Sequence, residues 1–304
     1  MGARLGRTRI DARGKVLADT RVKLKYRFQI GVLAHIGVLA ASVMAPSPSQ
    51  AARAKTGADA WLRYAPLTSE ARAKYDSLPS SVAVLGDTPV LKTSEDELAR
   101  GLLGMLGRTL RLGNKLPQER AIVLGTIAAL HEAVPEWQAP AGLSGDGFWL
   151  TTGRIQGFDC LIIAGATDRG VLYGVFALLR EIAVEDDLRN LDEQSQPYAP
   201  IRWVNQWDNL DGRIERGYGG RSIFFDGGNV RADLSRAADY ARLLASLGIN
   251  GCVVNNVNAN PHVLAPDFLP QLARIADAFR PWGLQLSISV DFTSPKAMGG
   301  LDTF

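Results

Sequence analysis

Apolar positions recur along this chain in two rhythms, and the change between them falls near residue 200. Upstream, short apolar runs alternate with helical stretches. Residues 81–85 (SVAVL) and 121–124 (AIVL) have the length and β-branched character of buried strands. Between them Leu98, Leu102, Leu106 and Leu110 repeat every four residues, which predicts a helix over 94–112 opened by a capping box from Ser94 to Glu97. Residues 127–133 predict a short helix, and 148–152 with 160–164 (CLIIA) predict two strands joined as a hairpin. Thr167 then opens a helix with Leu172, Val175, Phe176, Leu179 and Ile182 along one face, a core pattern and not a cofactor motif. Strands with covering helices describe a compact α/β domain that ends in the proline-bounded stretch 197–200.

Downstream the order becomes strand, loop, helix, strand. Residues 201–204, 251–254 and 284–290 predict strands. Residues 233–247 and 268–279 predict amphipathic helices, the first ended by Gly248 and the second stopped before Pro281. Repeated βα units with polar residues gathered after each strand are how a (β/α)8 TIM barrel begins. The competing architecture is a doubly wound sheet, but the Gly-rich phosphate turn that marks it does not occur here. Only about three of the eight strands fit before Phe304, whereas a whole barrel needs roughly 250 residues. The expected organisation is therefore a leader over 1–54, an α/β accessory domain over 55–200, and an incomplete TIM-barrel catalytic domain over 201–304.

The segment 201–225 breaks both rhythms. A short apolar run gives way to a patch holding Trp207, Asp208, Asn209, Asp211, Arg213, Glu215, Arg216, Tyr218 and Arg221, punctuated by Gly212, Gly217, Gly219 and Gly220. It buries little apolar surface for its length, and glycine-rich backbone is entropically costly to order. Such a loop reads either as a site or as a surface loop whose charges pair with one another.

Net charge, +3 overall, is unevenly spread. Ten Lys/Arg and two Asp/Glu fall before residue 55, which leaves the remainder at −5. An acidic body without clustered Lys/Arg argues against a nucleic-acid surface. Within the leader a basic stretch (21–27), an apolar run (28–45) and small residues at 49–54 follow the order of a secretory signal peptide. A membrane anchor is the rival, since the run approaches the roughly 20 residues of a spanning helix. Removal of the leader leaves no membrane association and an exported protein, periplasmic or extracellular. Cys160 and Cys252 lie in apolar runs far apart, as buried free thiols do. His35, His131 and His262 have no partner at metal-ligand spacing.

Three blocks carry a resemblance. WDNLDGRIERGYGGRSIF (207–224) closely resembles the signature of the α-glucuronidases of glycoside hydrolase family 67, which debranch xylan. GINGCVVNNVNANP (248–261) resembles a second family block at the family's spacing, and TDRGVLYGVFALLREI (167–182) is a weaker third. The resemblance runs from Asp59 to the last residue. It implies an accessory domain akin to that of many hexosaminidases, followed by a barrel. The implied reaction removes (4-O-methyl)glucuronic acid from xylo-oligosaccharides by water attack with inversion, without a cofactor. It leaves a homodimer of the full-length enzyme open.

Glycoside hydrolysis needs one carboxylic acid and one carboxylate, roughly 6.5–9.5 Å apart in an inverting enzyme. By position alone Asp208 and Asp291 could form an opposed pair. The resemblance argues otherwise, because it places the catalytic carboxylates beyond Phe304 and leaves none in this chain. Substrate-binding candidates are Trp207, Asp208, Asn255, Asn256 and Val257. The resemblance sets Trp207 against the uronic acid and Val257 against its 4-O-methyl group. The asparagines could bond sugar hydroxyls or merely satisfy a turn. Arg213, Arg216 and Arg221 could meet a uronate, or pair with Asp208, Asp211 and Glu215 as scaffold. The rival functions are a hexosaminidase-like glycosidase of another family, against which the WDN and NNVNAN blocks speak, and a non-catalytic carbohydrate-binding remnant.

Overall fold

Residue-by-residue alternation in three strands sets up the first half of the fold. The computed structural model describes residues 61–300, so the leader and its cleavage lie outside the described residues. Strands β1 (Ser81–Leu85), β3 (Ala121–Thr126) and β5 (Phe158–Gly165) run parallel. Val82, Val84, Ile122, Leu124, Leu161 and Ile163 enter one buried cluster, while Ala83, Ala121, Val123, Cys160, Ile162 and Ala164 enter another on the opposite face. A period of two thus feeds both sides of the sheet, as a doubly covered sheet requires. Its edges are β2 (Arg111–Gly113), parallel to β1, and β4 (Phe148–Ile155) with β6 (Asp192–Ser195), each antiparallel to its neighbour. The strand order is β2-β1-β3-β5-β4-β6.

Four helices of the described residues belong to this half: α1 (Ser69–Ala73), α2 (Pro89–Leu106), α3 (Ile127–Ala133) and α4 (Asp168–Ala183). The four-residue leucine repeat marks α2 correctly but misplaces both its ends. Thr88 is the N-cap, its side chain accepting from the Leu91 amide, and Pro89 takes the first turn, where its missing N–H is no loss. Ser94 lies inside the helix and donates to the Val90 carbonyl, so no capping box forms there. Gly107, with φ 68°, ends the helix and leaves Leu110 outside it. Thr167 does cap α4, accepting from the Gly170 amide. That helix, however, is buried on more than the one predicted face. Val171, Tyr173, Val175 and Leu179 pack toward the six-stranded sheet, whereas Leu172 and Phe176 join a separate cluster beyond it.

That further cluster belongs to the second half. Three parallel strands, β7 (Trp203–Asn205), β10 (Gly251–Val253) and β11 (Gln285–Ser287), lie in the order β11-β10-β7. A two-residue hairpin, β8 (Phe225–Asp226) and β9 (Asn229–Val230), follows the polar loop. Helix α5 (Ser235–Ser246) leads into β10, α6 (Leu269–Phe279) leads toward β11, and the short α7 (Ser294–Ala297) follows β11. All three strands are shorter than the apolar runs predict, and β7 and β11 each find a ladder partner on one side only among the described residues. Gly251 has a packing reason: a Cβ there would meet the Trp203 indole at 2.3–2.6 Å.

Two buried polar networks join the halves. Asp146, just before β4, accepts from Arg202 at 2.7 Å, from Arg169 at 3.0 Å and from Asn250 at 3.3 Å. Burial pushes the Asp146 carboxyl up, but the two guanidiniums outweigh it and hold the pKa below the ordinary carboxylate value. Glu97 on α2 pairs with Arg242 on α5 at 2.7 Å. Both cysteines are buried and free. Among the described residues no helix is long and apolar enough to cross a membrane.

Candidate functional site at the strand ends

The polar loop is ordered by its own backbone. After β7, the Gln206 amide donates to the Val253 carbonyl, the Glu215 amide to Trp207, and the Asn209 amide to Arg213. The Asn209 side chain adds bonds to the Arg213 and Glu215 carbonyls at 3.2 and 2.6 Å. Glu215 holds a left-handed φ of 54°, which a non-glycine residue adopts only when its surroundings enforce it. Ser222 accepts from the Phe224 and Phe225 amides, and those two rings are driven into the core. Two apolar anchors therefore fix a loop that has few others.

The charges mostly neutralise one another. Arg213 pairs with Asp211 at 2.7 Å, Arg221 with Asp226 at 2.8 Å, and Arg216 loosely with Glu215 at 3.9 Å. Scaffold pairing is thus the observed role of these arginines, with Asp226 and not Asp208 among their three carboxylate partners. Asp208 is 2% exposed and forms no ion pair among the described residues. Its carbonyl accepts from the Asn256 amide at 2.8 Å, which ties the end of β7 to the end of β10. One carboxylate oxygen, Oδ1, is buried without a hydrogen-bond partner, as is Oε2 of Glu215.

Burial pushes the Asp208 carboxyl above the ordinary aspartate value, and the Ser222 hydroxyl only partly offsets it. The sign follows directly. A folded-state pKa above the unfolded value of about 3.9 means that stability falls as pH rises through the interval between them. Asp208→Asn, which cannot ionise, is expected to melt at or above the wild-type temperature at pH 7, and the difference is expected to close near pH 3, at roughly a unit below the unfolded pKa. Thermal unfolding at the two pH values checks this, and a large loss at both would show the carboxylate to be a structural necessity.

The asparagines are already engaged. Asn255 accepts from the Ser289 amide at 2.7 Å and donates to the Ser289 carbonyl at 2.8 Å, a two-bond clamp that extends the pairing between β10 and β11. Asn256 accepts from the Asn258 amide at 3.0 Å, which closes a local turn. Asn250 does at the other end of β10 what Asn255 does here, accepting from the Arg202 amide at 2.9 Å. Neither Asn250 nor Asp146 stood out in the sequence; a lone polar residue directly before an apolar strand is the only signal either leaves. Asp291, for its part, accepts from the Thr293 amide at 2.8 Å at the entry to α7, which occupies it locally.

Trp207 and Val257 stay 43% exposed each at the same end of the sheet. Between the two loops lies a cleft of about 420 Å³ lined by Asp208, Asp211, Arg213, Glu215 and Asn255, among others, with Trp207 and Val257 outside its lining. A larger cavity of about 940 Å³ opens toward the opposite end of the strands, near Arg202 and Gly248. Its wall is mostly apolar, with Phe176, Leu179 and Leu247, and Asp146 and Arg202, which pair with each other, also line it.

Residues 60–178 match the model of the glycosyl hydrolase family 67 N-terminus, and residues 181–304 match that of the family's middle domain. The chain is 45% identical over 264 residues to Alpha-glucuronidase A of Emericella nidulans, which covers 84% of this chain and 30% of that protein. It is 43% identical over 255 residues to Probable alpha-glucuronidase A of Aspergillus terreus, covering 83% and 30% respectively. A solved family GH115 4-O-methyl-alpha-glucuronidase with specificity for decorated arabinogalactans aligns with 70% of this chain and 29% of its own, at 19% identity and a TM-score of 0.47. The chain spans about a third of the length of the curated relatives it matches. With the family's N-terminal and middle blocks following one another in chain order, this chain belongs to glycoside hydrolase family 67.

Proposed function

We propose that this chain is the N-terminal portion of an exported α-glucuronidase that removes (4-O-methyl)glucuronic acid from xylo-oligosaccharides by water attack with inversion. The observation that carries the reading is spatial. Trp207, Asp208, Asn255, Asn256 and Val257 follow two neighbouring parallel strands and gather at their C-terminal ends, where an α/β catalytic domain places its site. On this reading β7, β10 and β11 are the first three strands of a (β/α)8 barrel, and the loops after them form the near wall of its mouth. The exposed indole of Trp207 offers a flat apolar face to a sugar ring, and Val257, equally exposed, offers a small apolar contact. Export rests on the basic, apolar and small-residue order of residues 21–54, so N-terminal sequencing of secreted protein is expected to find the chain starting near residue 50 or later.

The catalytic carboxylates are not part of this wall. Asp208 is 2% exposed and Asp291 accepts from its own turn, and the resemblance sets the catalytic pair beyond both. The 304-residue chain is therefore expected to release no glucuronic acid from aldotetraouronic acid. A protein extended to the length of the relatives is expected to release it. Release by the 304-residue chain would make Asp208 and Asp291 the catalytic candidates, and no release by the extended protein would sink the enzymatic reading.

A further inference from the structure

We propose that the large cavity at the junction of the two halves is a binding site for an aromatic acid, an apolar ring system bearing one carboxylate. The cavity opens at the other end of the strands from the polar loop, so the proposal is independent of the carbohydrate reading above. At about 940 Å³ it falls within the roughly 300–1,000 Å³ of small-molecule sites, which favour junctions of this kind. Five rings line it: Trp61, Tyr64, Phe148, Tyr173 and Phe176. Rings gain from offset or edge contact with another ring beyond the area they bury, which favours an aromatic body over an alkyl chain.

One wall is a strap, residues 61–67, that runs across both halves: Leu62 packs on the second core, Tyr64 and Leu67 on the first. Its own bonds fasten it. The Trp61 indole donates to the Ser246 hydroxyl on α5 at 3.1 Å, and Arg242 donates to the Leu62 carbonyl at 3.2 Å. The Tyr64 hydroxyl donates to Glu97 at 2.6 Å, and the Leu67 amide to the Met105 carbonyl at 2.9 Å. Leu62 and Tyr64 hold left-handed φ values of 48° and 46°. Residues other than glycine keep that conformation only where their surroundings enforce it, and such residues gather at ligand clamps. A wall already in place spares a ligand the cost of ordering it.

Charge sets the polar end of the ligand. Arg202 and Asp146 neutralise each other at 2.7 Å, and Arg202 gives further donors to the Ala199 and Gly248 carbonyls. Arg63, Arg180 and Glu193 remain in the lining, two cations against one carboxylate. Arg63 forms no ion pair or side-chain hydrogen bond among the described residues. Arg180 is held only loosely, by Glu181 at 3.4 Å and Glu193 at 3.7 Å. Both arginines are exposed, so either guanidinium can turn to a carboxylate and bind it through two parallel N–H donors. An amine there would meet like charge, and a sugar would leave most of its hydroxyls unpaired against the apolar wall.

Calorimetric titration with 2-naphthoate, 2-naphthalenemethanol and 2-naphthylmethylamine tests the proposal, on the 304-residue chain and on the protein extended to the relatives' length. Saturable binding of naphthoate by both proteins is expected. It should be about 2–5-fold tighter than that of the alcohol, as one exposed charge contact implies, with the amine weakest. Arg63→Gln is expected to bring the acid toward the alcohol and to leave the alcohol unchanged. Ala183 is exposed and lines the cavity, so Ala183→Trp is expected to fill it and abolish binding of all three. Circular dichroism checks that each variant is folded; if Ala183→Trp is not, Arg63→Gln on the strap decides. No saturable binding by the 304-residue chain, an amine bound as tightly as the acid, acid binding unchanged in Arg63→Gln, or full binding by folded Ala183→Trp overturns the proposal. So does binding that disappears in the extended protein, which would make the cavity the seat of another segment of that protein.

Discussion

Arg242→Ala is expected to lower the unfolding free energy by about 3–5 kcal/mol, the size of effect seen when one partner of a buried ion pair is removed. Glu97 is the reason. Its side chain is 0% exposed, and that of Arg242 is 17% exposed. Three contacts of 2.7–3.0 Å link the guanidinium to the two carboxylate oxygens. The Tyr64 hydroxyl donates to the same carboxylate at 2.6 Å, and Arg242 also donates to the Leu62 carbonyl at 3.2 Å. Without Arg242 the carboxylate keeps Tyr64 and a single 3.3 Å contact to Arg100, itself half exposed. The pair spans α2 and α5, so its loss loosens the attachment between the two cores as well as stranding a charge. Chemical denaturation measures the change. The double variant Glu97→Met with Arg242→Leu is expected to recover most of it, because an apolar pair of similar volume needs no counter-charge. A loss below about 1 kcal/mol in the single variant would mean that the pair behaves as an exposed one.

Elements bounded by turn residues and fed by alternation were legible to the residue: β1 and α3 have the predicted limits. The edges were not. Strand β2 is exposed throughout and β6 is polar, so neither carries the apolar pattern that announces a strand. Hairpin β8–β9 is two residues long on each side and hides behind the glycine-rich loop. Helix α2 was misread at its start because Ser94 and Glu97 imitate a capping box while serving inside the helix, one on Val90 and the other on Arg242. The same limit applies to the site. Its candidates were legible as residues following strands, and that much could be read from chain order. What became of their side chains could not. The partner of Asn255 lies 34 residues away, so an amide that reads as free for sugar is in fact spent on Ser289. Asp208, buried in the structure, likewise meets the hydroxyl of the later Ser222, a contact that chain order does not announce.

In the protein extended to the relatives' length, Trp207→Ala is expected to cut kcat/KM by about 30–150-fold, or roughly 2–3 kcal/mol of transition-state binding. Truncating a large aromatic in a core costs about 3–5 kcal/mol, and a partly wet wall sets a lower figure. Trp207 has the position of such a wall. It follows β7, stays 43% exposed, and belongs to none of the buried clusters of the described residues. Its backbone carbonyl is used by the Glu215 amide, which holds the residue in place whatever its side chain. Removing the indole should therefore leave the loop and the melting temperature nearly unchanged while the sugar loses its apolar face. The competing account makes Trp207 a packing residue, whose loss lowers the melting temperature and leaves the enzyme that remains folded close to full activity. Melting temperature and kcat/KM measured on the same variant separate the two. A large thermal loss with near-normal kinetics would end the recognition role.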